Sequence, residues 1–162
     1  MFITYFFVAV CAYLIGSLNF GVIVSRVFLG KDIREHGSGN AGATNAFRTM
    51  GPRLATLVML GDIGKGVGAA LLGRHFAGAN GTLTAFVFVV MGHVFPLYFG
   101  FRGGKGVLTT AAVLLIFDWR MFLILVGVFV VAVSCTRYVS LGSILGAVLL
   151  PVVMLIFHPA PL

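Results

Sequence analysis

Six apolar stretches, residues 2–24, 54–72, 83–101, 107–117, 119–135 and 141–157, divide the chain, and most of its polar side chains fall in the connections between them. A helix needs about 20 apolar residues to cross the hydrocarbon of a bilayer. Five of the stretches are long enough to be spans. The fourth, 107–117, is too short to cross without tilt or local thinning, unless it re-enters on the side it came from. Counting it, the pattern predicts an all-α, polytopic integral membrane bundle of about six spans, forming one membrane-embedded domain over residues 1–162. The first stretch lacks the basic start of a secretory leader and is too long for one, so it reads as a retained first span.

Composition agrees with this. Sixty per cent of residues are hydrophobic and only 9% charged, against about 25% charged in an average soluble domain, and mean hydropathy is +1.11. The net charge of +7 is not spread over solvent faces as a nucleic-acid binder would need; it suits lipid headgroups or phosphate-bearing substrates. With six spans, Arg26, Lys31, Arg34, Arg48, Arg53, Arg102, Lys105 and Arg137 share one side, and only Arg74 and Arg120 take the other. Basic loops stay in the cytoplasm, which puts the first group inside and the N-terminus outside. Cys11 and Cys135 lie within apolar stretches and read as packing residues.

The basic side receives both glycine-rich loops. The first is Gly37-Ser38-Gly39-Asn40-Ala41-Gly42-Ala43-Thr44-Asn45, and the second is Arg102-Gly103-Gly104-Lys105-Gly106. Gly37, Gly39 and Gly42 can take positive φ and let a ligand approach bare backbone. Thr44 or Asn45 is placed to cap a short helix through Arg48, aiming free N–H groups at an anion. The first loop formally matches G-x-G-x-x-G, but no strand precedes it and a membrane helix follows, so the dinucleotide reading fails on context. The second has a lysine like that of a phosphate loop, yet Phe99 replaces the first glycine and Gly106 the Ser or Thr. It can bind phosphate without hydrolysing a nucleotide.

Asp62 and Lys65 lie about 12–16 Å into the second span, on one helix face at i, i+3 spacing. Each alone would cost about 2.5–3.5 kcal/mol at mid-bilayer, so they are expected to pair, as a structural pair or in support of a site. His93 precedes Phe95-Pro96 and is either a hydrogen-bonded core residue or a base. His36, before the first loop, can be solvated. His75 and His158 receive no role. No His/Cys/Asp/Glu spacing suggests a metal, and no G-x-S-x-G elbow suggests a serine hydrolase.

Four motifs in order, residues 37–45 with Arg48, Asp62-Ile-Gly-Lys65-Gly66, Gly92-His93-x-Phe95-Pro96 running to 103–107, and Val139-Ser140-Leu141-x-Ser143-Ile144, resemble the bacterial acyl-phosphate:glycerol-3-phosphate acyltransferase family, the PlsY type. The resemblance implies transfer of a fatty acyl group from acyl phosphate to the 1-hydroxyl of glycerol 3-phosphate, giving lysophosphatidic acid, the first step of phospholipid synthesis. It implies no cofactor or metal, a site facing the cytoplasm in the bacterial inner membrane, and a functional link to the enzyme that makes acyl phosphate. Such enzymes lack the H-x₄-D motif of acyl-CoA-dependent transferases, and no histidine here has Asp five positions on. Asn19 stands where relatives commonly carry proline. The family has seven spans and a further histidine-containing tail, so a C-terminal portion is expected to be missing.

Carried onto this sequence, the candidate catalytic residues are Ser38, His93 and Lys105. The candidate substrate ligands are Gly37, Gly39, Asn40, Thr44, Asn45, Arg48, Lys65, Arg102, Gly103, Gly104, Gly106, Ser140 and Ser143. Acyl phosphate is assigned to the 103–106 loop with Ser38 nearby, and glycerol 3-phosphate to Asn45, Arg48 and Lys65; Ser38, His93 or the phosphate itself takes the hydroxyl proton. The alternatives are a membrane anion channel or transporter, which would need polar residues threading to the far side, and a catalytically inactive relative acting as a scaffold.

Overall fold

A computed structural model describes residues 1–158 and shows an all-helical chain, with no strand among those residues. It forms two compact units, Met1–Phe117 and Asp118–Leu162. By length and composition, four helical stretches can cross a membrane: Phe2–Leu29, Ala43–Phe99, Trp119–Thr136 and Val139–Phe157; Val107–Phe117 is shorter.

In the first unit the first apolar run is not one helix. α1 (Phe2–Gly16) ends where Ser17 turns its hydroxyl onto the Tyr13 carbonyl, and α2 (Phe20–Leu29) starts after Asn19, whose side chain accepts the Val22 N–H. Asn is among the strongest helix N-caps, which is why an apolar run breaks here. The second and third runs form two separate helical segments within α3 (Ala43–Val94). Its backbone leaves helical geometry at Gly51 (φ 77°) and at Ala77 and Gly78 (φ 59°), leaving helical segments 43–50, 52–76 and 79–94. The third run was expected to reach residue 101. Its helix stops at Val94, before Pro96, and a 3₁₀ turn, Leu97–Phe99, follows.

The turn at Gly78 folds 79–94 back along 52–76. Gly73 and Gly81 face each other so closely that a Cβ on either would collide with the other's carbonyl oxygen. α1 packs against 79–94 in the same way, with Gly16 on the Val89 carbonyl and Gly92 on that of Tyr13. The Tyr13 hydroxyl donates to the Phe95 carbonyl at 2.9 Å, and Ser17 Oγ accepts the Leu97 N–H at 3.2 Å. α4 (Val107–Phe117) meets Gly66 through Thr109 and Ala112. Val8, Ala12, Ala69, Ala70, Ala85, Val89 and Val113 fill the space between. In lipid the hydrophobic effect does not drive helices together, so small residues that let backbones close in supply the attraction.

Loops 30–42 and 95–106 lie at one end of this unit, and Arg34 bolts them together. Its guanidinium donates to the Phe99 carbonyl at 2.6 Å and the Arg102 carbonyl at 2.9 Å. It is itself gripped by both oxygens of Asp32 at 2.9 and 2.8 Å, and Arg26 donates to Asp32 Oδ2 as well, at 2.8 Å. The Arg34 side chain, above all by its hydrogen bond, holds the Asp32 carboxyl well below the usual carboxylate range. The N-terminus lies at the opposite end, where the Phe7 ring meets Phe76 near the Gly78 turn.

The second unit is a hairpin of α5 (Trp119–Thr136) and α6 (Val139–Phe157), turned at Arg137 (φ 62°) and packed where Gly142 meets Phe129 and Val133. Asp118 caps α5, pairs with Arg120 at 2.7 Å and reaches His158 at 3.1 Å.

Two outcomes follow from this packing. Gly73→Leu forces the 52–76 and 79–94 segments apart, costing on the order of 1–3 kcal/mol and lowering the thermal midpoint of the detergent-solubilised protein. Gly64→Ala, whose Cβ would meet nothing within 4 Å, does not lower it. Separately, a carboxyl depressed in the folded state stabilises fully above its unfolded value of about 4, and that contribution is lost as pH falls through the folded value. The thermal midpoint of wild type therefore exceeds that of Asp32→Asn by a constant margin from about pH 8 to about pH 5, and the margin shrinks in stronger acid. A margin that vanishes near neutrality would refute the clamp.

Candidate functional site

Each loop folds mostly by bonding to itself and then delivers a helix start. In the first, Gly37 (φ 61°) and Gly39 (φ 72°) adopt the left-handed conformation expected of them, but Gly42 does not: at φ −95° it is the N-cap of α3. Neither Thr44 nor Asn45 caps the helix. Asn45 sits one turn inside, buried, with its amide turned back under the loop. Its Nδ2 donates to the carbonyls of Ile33, His36 and Asn40, and its Oδ1 accepts the Ser38 N–H. Asn40 Oδ1 accepts the Gly42 N–H, and the Gly39 N–H goes to His36. Asn45, expected to bind substrate, is thus consumed in shaping the loop. Ser38, Thr44, Arg48 and His36 are exposed around it.

The second loop repeats this logic. The amides of Gly103 and Gly104 were expected to cradle phosphate, yet they donate to the Val94 and His93 carbonyls at the frayed end of α3. They close the chain reversal instead. What remains for an anion is the first turn of α4, where N–H groups have no carbonyl one turn back, together with exposed Arg102 and Lys105. Gly106, at φ 72°, sets the entry into that helix. The unit therefore offers two helix N-termini, of α3 and α4, each fed by a glycine-rich loop and held at one end by Arg34. Helix starts of this kind are ready anion sites.

Beneath the loops lies a closed polar cluster. Lys65 Nζ is 2.8 Å from Asp62 Oδ1, with side chains 1% and 3% exposed, and it donates to the Leu18 carbonyl at 2.9 Å. That carbonyl belongs to the break between α1 and α2, where no helical partner exists for it. The pairing expected from i, i+3 spacing is present, but Lys65, expected to hold substrate, is spent inside the core. His93, also buried, brings Nδ1 to 3.5 Å from Asp62 Oδ1 and 3.5 Å from Thr109 Oγ1. Thr109 donates to the Asp62 carbonyl at 3.3 Å.

Glycine is required against the other edge of His93. A Cβ on Gly104 would fall on Nε2, and its Cε1 and Cδ2 would be 3.2 and 3.3 Å away. The imidazole is thus wedged between the buried carboxylate and the second loop. Ser140 and Ser143 belong to the second unit, at the start of α6; Ser140 is exposed, and Ser143 Oγ donates to the Val139 carbonyl. Among the described residues no group of three or more His, Cys, Asp or Glu could hold a metal.

The residues that sequence reasoning passed over are Asp32, the bridging role of Arg34, Ser17, Thr109 and the Leu18 carbonyl, and Asn19 was noted only as a departure from proline. Their signals were faint: an Asp-x-Arg spacing, two polar residues inside an apolar run, and a threonine in a short helix.

The family model of glycerol-3-phosphate acyltransferases matches residues 6–162. The glycerol-3-phosphate acyltransferase of Carboxydothermus hydrogenoformans is 40% identical over 149 residues, covering 92% of this chain and 76% of that protein. The one from Bacillus subtilis is 47% identical over 139 residues, 86% of this chain and 72% of its own. The crystal structure of PlsY (YgiH), an integral membrane glycerol 3-phosphate acyltransferase, in its glycerol 3-phosphate form superposes with a TM-score of 0.87 at 33% identity, covering 95% of this chain and 78% of that one. Its lysophosphatidic acid form gives 0.83 at 33% identity, covering 95% and 77%. A match over nearly the whole chain, in sequence and in helical architecture, makes this protein a member of the glycerol-3-phosphate acyltransferase family.

Proposed function

We propose that this protein, a membrane glycerol-3-phosphate acyltransferase, takes its acyl group from acyl phosphate and delivers it to the 1-hydroxyl of glycerol 3-phosphate. Lysophosphatidic acid and inorganic phosphate leave. The observation that carries the reading is the pair of glycine-fed helix starts, α3 at Gly42 and α4 at Gly106, clamped at one end by Arg34. Both substrates are phosphate monoanions or dianions. Two unit charges 4 Å apart repel by about 4 kcal/mol at an effective dielectric of 20, so a site that joins them needs two separate cradles and added cations.

In this assignment the start of α4, with Lys105 and Arg102, takes the acyl phosphate. The start of α3, with Thr44 and Arg48, takes glycerol 3-phosphate. Ser38, in the first loop, is a candidate proton relay or ligand, and Asn40 and Asn45 keep that loop in shape. Acyl phosphate is a mixed anhydride with phosphate as leaving group, so direct attack by the glycerol hydroxyl needs no acyl-enzyme and no cofactor. Positioning and charge neutralisation supply the catalysis. The acyl tail stays in the apolar phase, where each buried CH₂ is worth about 0.8 kcal/mol.

Basic residues concentrate at the loop end, which under the positive-inside rule puts that end in the cytoplasm and the N-terminus outside, in the bacterial inner membrane. On this reading six segments cross or enter the bilayer, residues 1–162 act as one membrane-embedded domain, and the enzyme that makes acyl phosphate is its functional partner.

The test is acyl transfer by the purified protein, with labelled glycerol 3-phosphate and either acyl phosphate or acyl-CoA as donor. Lysophosphatidic acid is expected from acyl phosphate only. Lys105→Ala is expected to lower turnover by at least about 100-fold, the scale of losing one charge stabiliser, while the helical circular dichroism and thermal midpoint persist. Near wild-type turnover in that variant would remove the second loop from the site.

A further inference from the structure

We infer that Arg34 is a positioning residue for acyl transfer: it holds a strained turn at Gly100–Phe101 closed and so fixes the place from which Arg102 meets a substrate phosphate. The consequence for transfer rests on the function proposed above, whereas the geometry of the turn stands by itself. The second loop is entered through two consecutive left-handed residues, Gly100 at φ 67° and Phe101 at φ 58°. Glycine adopts that conformation freely. In phenylalanine the Cβ crowds the following carbonyl, and among the described residues Arg137 alone shares its positive φ without being glycine. Phe101 is 55% exposed, so burial of the ring does not hold it there.

Polar contacts of the backbone do. The Phe101 N–H donates to the Pro96 carbonyl at 2.9 Å. The carbonyls that flank the strained pair, those of Phe99 and Arg102, both accept from Arg34 Nη1, at 2.6 and 2.9 Å. One nitrogen thus spans both ends of the turn, with a hydrogen for each. Its direction is not free. A guanidinium is a planar fork, and the other edge of this one lies on Asp32, Nε on Oδ1 and Nη2 on Oδ2. Fixing that edge on the carboxylate aims Nη1 at the turn. Lysine could not do both, because a single ammonium has no second edge.

The tie is asymmetric. Arg34 is anchored within the first loop: Ile33 beside it is buried, with its N–H on Ser25 Oγ at 3.1 Å and its carbonyl on Asn45 Nδ2 at 3.2 Å. Asn40 and Asn45 close the rest of that loop without the Arg34 side chain. Past the turn, the Gly103 and Gly104 amides are pinned to the Val94 and His93 carbonyls. The freedom that Arg34 removes therefore belongs to residues 99–102. Its loss releases Arg102 and leaves the first loop in place.

Steady-state kinetics and amide hydrogen exchange of the full chain in detergent test this together. Arg102→Ala identifies the substrate that this loop serves, acyl phosphate in the assignment above, by raising its KM about tenfold or more, the scale of one hydrogen bond to a charged group. Arg34→Gln is expected to raise the KM of that same substrate to a similar degree and to leave the other KM unchanged. In an Arg102→Ala background Arg34→Gln adds nothing further, since it acts through that side chain. In a Phe101→Gly background its effect shrinks, because glycine needs no clamp to stay left-handed. A role in stability alone would lower the folded fraction and kcat but move neither KM. Arg34→Lys carries the same test if Arg34→Gln does not fold. Unchanged KM values in folded Arg102→Ala or Arg34→Gln overturn the inference, as do two KM values that rise together, or an Arg34→Gln effect that persists in full in either background. Exchange reads the turn without turnover: the Phe101 amide is expected to exchange faster in Arg34→Gln, with the first-loop amides unchanged. That result in a protein that makes no lysophosphatidic acid supports the clamp and overturns the acyl-transfer reading instead, whereas an unchanged Phe101 amide overturns the clamp.

Discussion

A buried ammonium cannot be left unpaired, and the first unit is arranged around that fact. Lys65 sits in the middle of a membrane helix with its side chain 1% exposed. An isolated charge there would cost several kcal/mol, and breaking a buried pair by removing one partner typically costs about 3–5 kcal/mol. Asp62 supplies the counter-charge, and the Leu18 carbonyl supplies a further acceptor. That carbonyl is available only because α1 stops at Gly16 and α2 starts at Phe20. The helix break and the buried lysine therefore satisfy one another. Through Asp62 the same cluster takes in His93 from the end of α3 and Thr109 from α4, so two segments of α3, the start of α4 and the break meet at one polar point.

The surrounding packing lets these groups come close. Gly73 faces Gly81, Gly16 faces Val89, and Gly92 faces Tyr13, each at backbone contact. Larger residues at these positions would hold the helices a side chain apart, and His93 could not reach Asp62. Tight packing of small residues is how membrane helices gain attraction without help from water. Here it also sets the register of the site.

The two loops illustrate a division of labour. Their glycines and asparagines are used mainly to satisfy the loops' own backbones, through Asn45 in the first and the His93 and Val94 carbonyls in the second. Once satisfied, each loop holds a helix start open. Arg34, fixed by Asp32, then ties one loop to the other through two carbonyls. Arg34, counted in the sequence only among the basic residues of the loop side, is a rivet, and the exposed cations are Arg48, Arg102 and Lys105.

The apolar runs, the basic asymmetry and the Asp62–Lys65 spacing were legible in the sequence, because each depends on composition or on neighbours within one helical turn. So were the positive φ of Gly37 and Gly39 and the order of the motifs. The break at Ser17–Asn19, the turning inward of Asn45 and the loss of Lys65 to the core were not. The contacts that spend the buried and bridging side chains reach partners far along the chain: residue 18 for Lys65, residue 99 for Arg34, residue 109 for His93. Which hydrogen-bond acceptor a buried donor finds is decided by helices that meet in space, and periodicity carries no record of that meeting. The residue types alone therefore determined a membrane bundle with two polar loops, and the ordered motifs its resemblance to an acyltransferase family. Only the tertiary structure decided which of their polar atoms remain available for chemistry.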